Sequence, residues 1–234
     1  MLRLRTVTTG GIPAGFVAFG LAIAGLLTLA PSHAPALLAA GAPSRLTLNI
    51  NLASSQELSA VSTGALVAEV NAIWWNSNVS LVWRTVDVSE PLPAMPEAED
   101  WLRVLVLARQ QSGSGETSRL TVGELVRTEG TRPLAVASLT SARRIVEESI
   151  RLQRLEGPRD YDRRIGVVLG RAVAHEIGHY LLGPSHATRG LMRANIDALE
   201  FADVRSHAFL LDEPARAMLM QRASLSAPSS YATR

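Results

Sequence analysis

The chain has 234 residues, a formal net charge of +2 and 47% hydrophobic residues, which suits one domain with a sizeable core, or two small ones. It contains no cysteine, so a disulfide framework and a cysteine-switch latency are both excluded, and stability must come from packing and from any bound metal. All 23 basic residues are arginine; they are scattered, with short pairs at Arg143-Arg144 and Arg163-Arg164, and no basic stripe with interleaved aromatics points to nucleic acid.

The N-terminus reads as a targeting segment outside the fold. Arg3 and Arg5 precede an uncharged stretch, residues 11–30, and a small-residue tract follows with a cleavage site after Ala36 or near Ala40. Residues 1–36 are therefore a secretory signal or, because twenty apolar residues can span a bilayer, an uncleaved membrane anchor. Either way the rest of the chain is expected to be exported: secreted, periplasmic or anchored outside the cytoplasm. Residues 37–44 look like a linker.

From residue 45 the pattern becomes that of a folded domain. Leu46, Leu48, Ile50 and Leu52 alternate with polar residues, as in a half-buried strand. Ser54 to Glu57 offers a capping box for a helix reaching about Trp75. Its apolar stripe is Leu58, Val61, Ala65 and Ala68 together with Leu66, Val70 and Ile73. Trp74 and Trp75 read as core packing. Val79 to Val88 is a second strand, and Pro91, Pro93 and Pro96 break the chain after it. Trp101 to Ala108 is a near-continuous apolar run, expected to be a central strand covered on both faces. A polar loop over Gln110 to Ser118 leads to strands at Leu120–Arg127 and Leu134–Leu139. Thr140 or Ser141 would cap a helix reaching Leu155, and Asp160 or Asp162 the next one. Asp212 would cap a last helix from Glu213 to Ala223, with a disordered tail over 224–234. This order predicts an α+β or α/β fold: a mixed, twisted sheet of about five strands, a long helix, and a second helix carrying the site.

The chemistry concentrates in His175-Glu176-Ile177-Gly178-His179 and in Gly183, His186 and Met192 after it. Three of the chain's five histidines fall within the twelve residues 175–186. A helix turns about 100° per residue, so His175 and His179 stand one above the other and can face one ion. Glu176 lies beside that face, poorly placed as a ligand and well placed to hold a water on the metal. Two helical ligands leave a metal under-coordinated, so a third must come from outside the helix. Gly183 can end the helix in a left-handed conformation, Pro184 cannot continue it, and His186 is the nearest candidate. Asp197, Glu200, Asp203, His207 and Asp212 are the competing donors. Leu169, Val173, Ile177 and Leu181 form the helix's back face, and Gly170 and Gly178 hint at close backbone approach.

The segment resembles the metzincin zinc metallopeptidases, whose signature is H-E-x-x-H-x-x-G-x-x-H with a methionine turn downstream. The resemblance implies a zincin-like α+β catalytic domain over residues 45–223, with an N-terminal subdomain ending near Gly183, a short, irregular C-terminal one and the cleft between them. It implies Zn2+ held by His175, His179 and His186, Glu176 as general base, and Met192 in the methionine turn. In the family pattern the glycine and third histidine come seven and ten residues after the first histidine. Here Leu182 and Ser185 stand there, and one extra residue lies between His179 and Gly183. The expected activity is endopeptidase action on a peptide or protein substrate. An exported non-catalytic zinc-binding module and a hydrolase of non-peptide amides are the rival readings.

Overall fold

The computed structural model describes residues 45–87, 100–108, 121–129, 131–153 and 160–226. Contacts divide the chain into Met1–Ala40 and Gly41–Arg234, and every described residue belongs to the second unit. The targeting segment over 11–30, the linker over 37–44 and the loop over 110–118 lie outside the described residues. No helix among the described residues is long and apolar enough to cross a membrane.

Strand β1 (Leu46–Ser54) buries Leu46, Leu48, Ile50 and Leu52 on one face, as the alternation requires, but Asn51 and Ala53 are buried as well, so its second half is covered on both faces and not half-buried as expected. Helix α1 (Ala60–Trp74) leads to β2 (Val79–Val86), and β3 (Trp101–Leu107), β4 (Gly123–Val126) and β5 (Leu134–Ser138) complete the sheet. The order is β2-β1-β3-β5-β4, with all neighbours parallel except β4, which runs antiparallel to β5. Helices α2 (Leu139–Gln153), α3 (Tyr161–Leu182), α4 (Ala198–Ala202) and α5 (Glu213–Ser226) follow. The expected architecture is present: a mixed five-stranded sheet, a long helix before the motif helix, and an irregular segment after Gly183 carrying only short α4 and terminal α5.

Several local expectations are corrected. The cap of α1 is Ser59, whose hydroxyl accepts from the Ser62 N–H. Ser54 cannot cap it because Ser54 is still extended and paired with Val106 in β3. Leu66, Val70 and Ile73 are buried as expected, but Val61 and Trp75 are 60% and 68% exposed, so only Trp74 packs in the core. In β3 the side chains of Leu102, Val104 and Val106 are fully buried while Trp101, Arg103, Leu105 and Leu107 are half-covered. One face of β3 is therefore closed, not both. The α2 cap is Ser138, whose hydroxyl accepts from the Ser141 N–H. Residues 224–226 belong to α5 and not to the tail expected from Ser224, and residues 227–234 lie outside the described residues.

Helix α3 organises the domain. Its 22 residues span roughly 33 Å, and it is buried almost all round, from Ile165 through Ala174 and again at Glu176 to Gly178. Leu169, Val173 and Ile177 are essentially inaccessible, each contributing roughly 1.5–3 kcal/mol through burial. Close approach to α1 depends on two glycines. A side-chain carbon on Gly166 would stand 2.3 Å from the Ser62 carbonyl oxygen, and one on Gly170 would stand 2.9 Å from that of Leu66. That contact sets the motif helix against the rest of the core.

Candidate metal centre and its carboxylate

The last two turns of α3 carry His175 and His179 on one face, as four-residue spacing requires. Their rings meet edge to face with centroids 4.6 Å apart. Each ring is oriented by a backbone carbonyl: His175 Nδ1 lies 2.8 Å from the Leu191 oxygen, and His179 Nδ1 lies 3.0 Å from the Gly183 oxygen. Nδ1–H donation to those carbonyls leaves the Nε2 lone pairs facing outward, the arrangement common behind metal-binding imidazoles. His186 completes the cluster from outside the helix, with ring centroids 5.5 Å from His175 and 4.8 Å from His179. One nitrogen from each of the three rings lies within 4.8 Å of the others. Burial pushes His175 down to about 4, against the pull of the Leu191 carbonyl, and also lowers His179. Both rings are thereby kept neutral, the form that binds a cation.

The extra residue before Gly183 is absorbed by the helix itself. The helix runs on through Leu182, and the Gly183 N–H closes an α-helical bond of 3.2 Å on the His179 carbonyl. Gly183 then turns out of the helix at φ +96°, a conformation that glycine adopts without steric cost. Two arginines finish the helix end: Arg127 donates to the His179 carbonyl at 2.8 Å and Arg222 to that of Leu181 at 2.9 Å.

Glu176 is 5% exposed and is not one of the converging donors. It points toward β4, where it accepts a hydrogen bond from the Leu125 backbone N–H. A side-chain carbon on Gly123 would stand 2.8 Å from Glu176 Oε1, so the strand can lie this close only because position 123 carries none. Burial, and secondarily the neighbouring Glu124 carboxylate, push Glu176 up to about 7.

Met192 lies beneath the helix. Its sulfur would be 2.2 Å from a side-chain carbon on Gly178, which is the close approach that a glycine inside the motif suggested. The competing acidic donors are engaged elsewhere. Glu200 pairs with Arg193 at 2.7 Å, Asp197 caps α4, Asp203 accepts from the Arg205 N–H and Asp212 caps the start of α5.

Arg171, one turn before His175, has no counterpart in the sequence reading. It is 1% exposed, pairs with Glu69 at 2.7 Å and lies over the Phe209 ring at 4.1 Å. It also donates to the carbonyls of Glu200, Phe201, Asp203 and Ser206 at 2.8–3.3 Å. The one signal in the sequence was a charge on a helix face otherwise apolar. Gly123 carried a comparable signal, an isolated glycine within a strand pattern.

The site opens into a cavity of about 820 Å³. Gly123, Glu124 and Leu125 of β4 form one wall, and Asn195, Ile196 and Ala198 line the other side. Of the strands expected at Leu120–Arg127 and Leu134–Leu139, the second, β5, is internal, between β3 and β4, and the first, β4, is an edge. Tyr180 does not line the cavity.

No family model matches the chain, and no curated protein matches it. Solved structures similar to it include a zinc-dependent peptidase from Methanocorpusculum labreanum, at 15% identity and a TM-score of 0.46, covering 73% of this chain and 99% of that one. Metalloproteinase-II from Bacteroides fragilis is similar at 13% identity and 0.43, covering 76% of this chain and 53% of that one. Archaemetzincin from Methanopyrus kandleri is similar at 16% identity and 0.40, covering 81% and 99%.

Proposed function

We propose that the chain is a zinc-dependent endopeptidase with Glu176 as its general base. The observation that carries this reading is the convergence of three imidazoles within 4.8 Å beside a buried carboxylate that is not one of the ligands. Three histidines that leave a coordination position open suit a catalytic zinc, and backbone carbonyls already orient the rings of His175 and His179. When bound, zinc supplies a Lewis acid that lets water ionise near neutral pH and stabilises developing negative charge on a carbonyl oxygen. His175, His179 and His186 would hold it. Glu176 takes the proton from water as it attacks the scissile carbonyl and delivers it to the departing amine. Its burial raises its proton affinity enough for both halves of that task. The substrate would be a peptide lying extended along β4, the edge strand that also forms a wall of the cavity. The apolar stretch over residues 11–30 supports export to a compartment outside the cytoplasm.

The test is Glu176→Gln assayed with a fluorogenic peptide library, alongside zinc content and a chelator control. Zinc should be retained and cleavage should fall by roughly 100- to 10,000-fold. Cleavage at the parental rate would overturn Glu176 as the general base, and a parent that binds zinc yet cleaves no peptide would favour a non-catalytic zinc-binding module instead.

A further inference from the structure

His175 and His179 are placed by their helix, but His186 stands on an exposed, irregular segment, so something else must hold it in reach. The neighbouring backbone supplies the first link. The Ala187 N–H donates to the Met192 carbonyl at 2.8 Å, and Ala187 bridges Arg193 in parallel register. Arg193 is fixed in turn. It meets Glu200 with two parallel bonds, of 2.7 and 3.1 Å, and donates to the Gly190 carbonyl at 3.1 Å. A bidentate arginine–carboxylate pair fixes direction as well as distance. Glu200 is held from below, its carbonyl accepting from Arg171 of the motif helix at 3.0 Å.

Building on the zinc reading, we propose that Arg193 and Glu200 are positioning residues for the third ligand, tied by Arg171 to the helix that carries the other two. The path runs from Arg171 through the Glu200 backbone and carboxylate to Arg193, and through the Ala187 bridge to His186. Neither Arg193 nor Glu200 is among the converging donors. Their effect is to keep His186 presented, so that binding the ion does not require ordering a loose segment. Outer partners of this kind typically change metal affinity by roughly 10- to 100-fold.

The test is a double-mutant cycle on zinc affinity, measured by chelator competition, with the cobalt-substituted absorption spectrum as a second readout. Glu200→Gln should weaken zinc binding by roughly 10- to 100-fold, leave the melting temperature of the metal-free protein within a few degrees of the parent, and alter the cobalt spectrum. In a His186→Ala background the same substitution should have almost no further effect, because the ligand it positions is gone. If Glu200→Gln weakens binding equally in both backgrounds, the effect is general electrostatics from a freed Arg193, and the inference is overturned. An unaltered affinity in the single variant overturns it as well. If the parent itself fails to bind zinc, the functional reading falls and this inference with it.

Discussion

The sulfur of Met192 occupies the space that a side chain at Gly178 would fill, 2.2 Å from where its first carbon would stand. Met192 is 5% exposed, so it has no open volume to retreat into. Gly178→Ala should therefore destabilise the metal-free protein by about 1–3 kcal/mol through overpacking, although alanine is a better helix former by about 1 kcal/mol. Met192→Ala alone should cost about 2–5 kcal/mol through the cavity it leaves. The double variant should lose less than the two losses added together, since each change relieves the other. Urea unfolding of the four proteins measures this. A Gly178→Ala protein as stable as the parent would show that Met192 is not held against the helix.

The contact between β4 and Glu176 separates activity from stability. A methyl on Gly123 would meet Glu176 Oε1 at 2.8 Å, its Cγ at 3.2 Å and the Ala172 side chain at 3.3 Å. The carboxylate is the movable partner, so Gly123→Ala should shift Glu176 rather than unfold the strand. We expect peptide hydrolysis to fall on the order of 100-fold, with zinc content unchanged and stability within about 1 kcal/mol of the parent. Steady-state kinetics with metal analysis checks this, and near-parental turnover would mean that β4 does not set the position of Glu176.

Arg171 predicts a large effect remote from the chemistry. Replacing it with methionine leaves Glu69 without its cation and up to four carbonyls without their donor. Breaking one side of a buried pair costs roughly 3–5 kcal/mol, a large part of an ordinary domain's stability. Denaturant unfolding of Arg171→Met should show a loss of that order. A loss below about 1 kcal/mol would class the cluster with exposed ion pairs.

The metal-free protein should show opposing pH dependences. Glu176 rises to about 7 in the fold, so between its ordinary value and 7 the folded state holds the extra proton and stability falls as pH rises. His175 drops to about 4 and His179 is lowered as well. For them the unfolded chain holds the extra proton, and stability falls as pH drops through the ordinary histidine range. The parent's dependence between about pH 4.5 and 6.5 should therefore be shallow. Glu176→Gln removes one of the two trends and should make stability rise with pH, by roughly 1 kcal/mol per pH unit. Urea unfolding with chelator at several pH values decides it; equal slopes in parent and variant would contradict the opposition.

What the sequence made legible was whatever depends on short spacing. Two histidines four apart on a helix, and the alternation of Leu46 to Leu52, are geometric consequences of period, and both appear in the fold. What it hid depends on distant partners. Ser54 to Glu57 has the composition of a capping box, but pairing of Ser54 with β3 holds the chain extended there, and the cap passes to Ser59. Leu134 to Ser138 reads as a strand, yet nothing local says that it lies inside the sheet, between β3 and the edge strand β4. Arg171 reads as one arginine among 23 until carbonyls about thirty residues away close around it.

Gly183 grips His179 from both sides, its N–H on the histidine's carbonyl and its own carbonyl on the ring. The four-residue separation that looked like an insertion makes the first of these an ordinary α-helical bond. Fraying of the final turn and loss of the His179 ring's orientation are consequently one motion. Helix ends are where native proteins open most readily, so the ion should act as a rivet on this turn. Amide exchange at Gly183 and its neighbours should slow sharply when metal binds, while the middle of α3, buried from Ile165 to Ala174, exchanges at much the same rate with or without it.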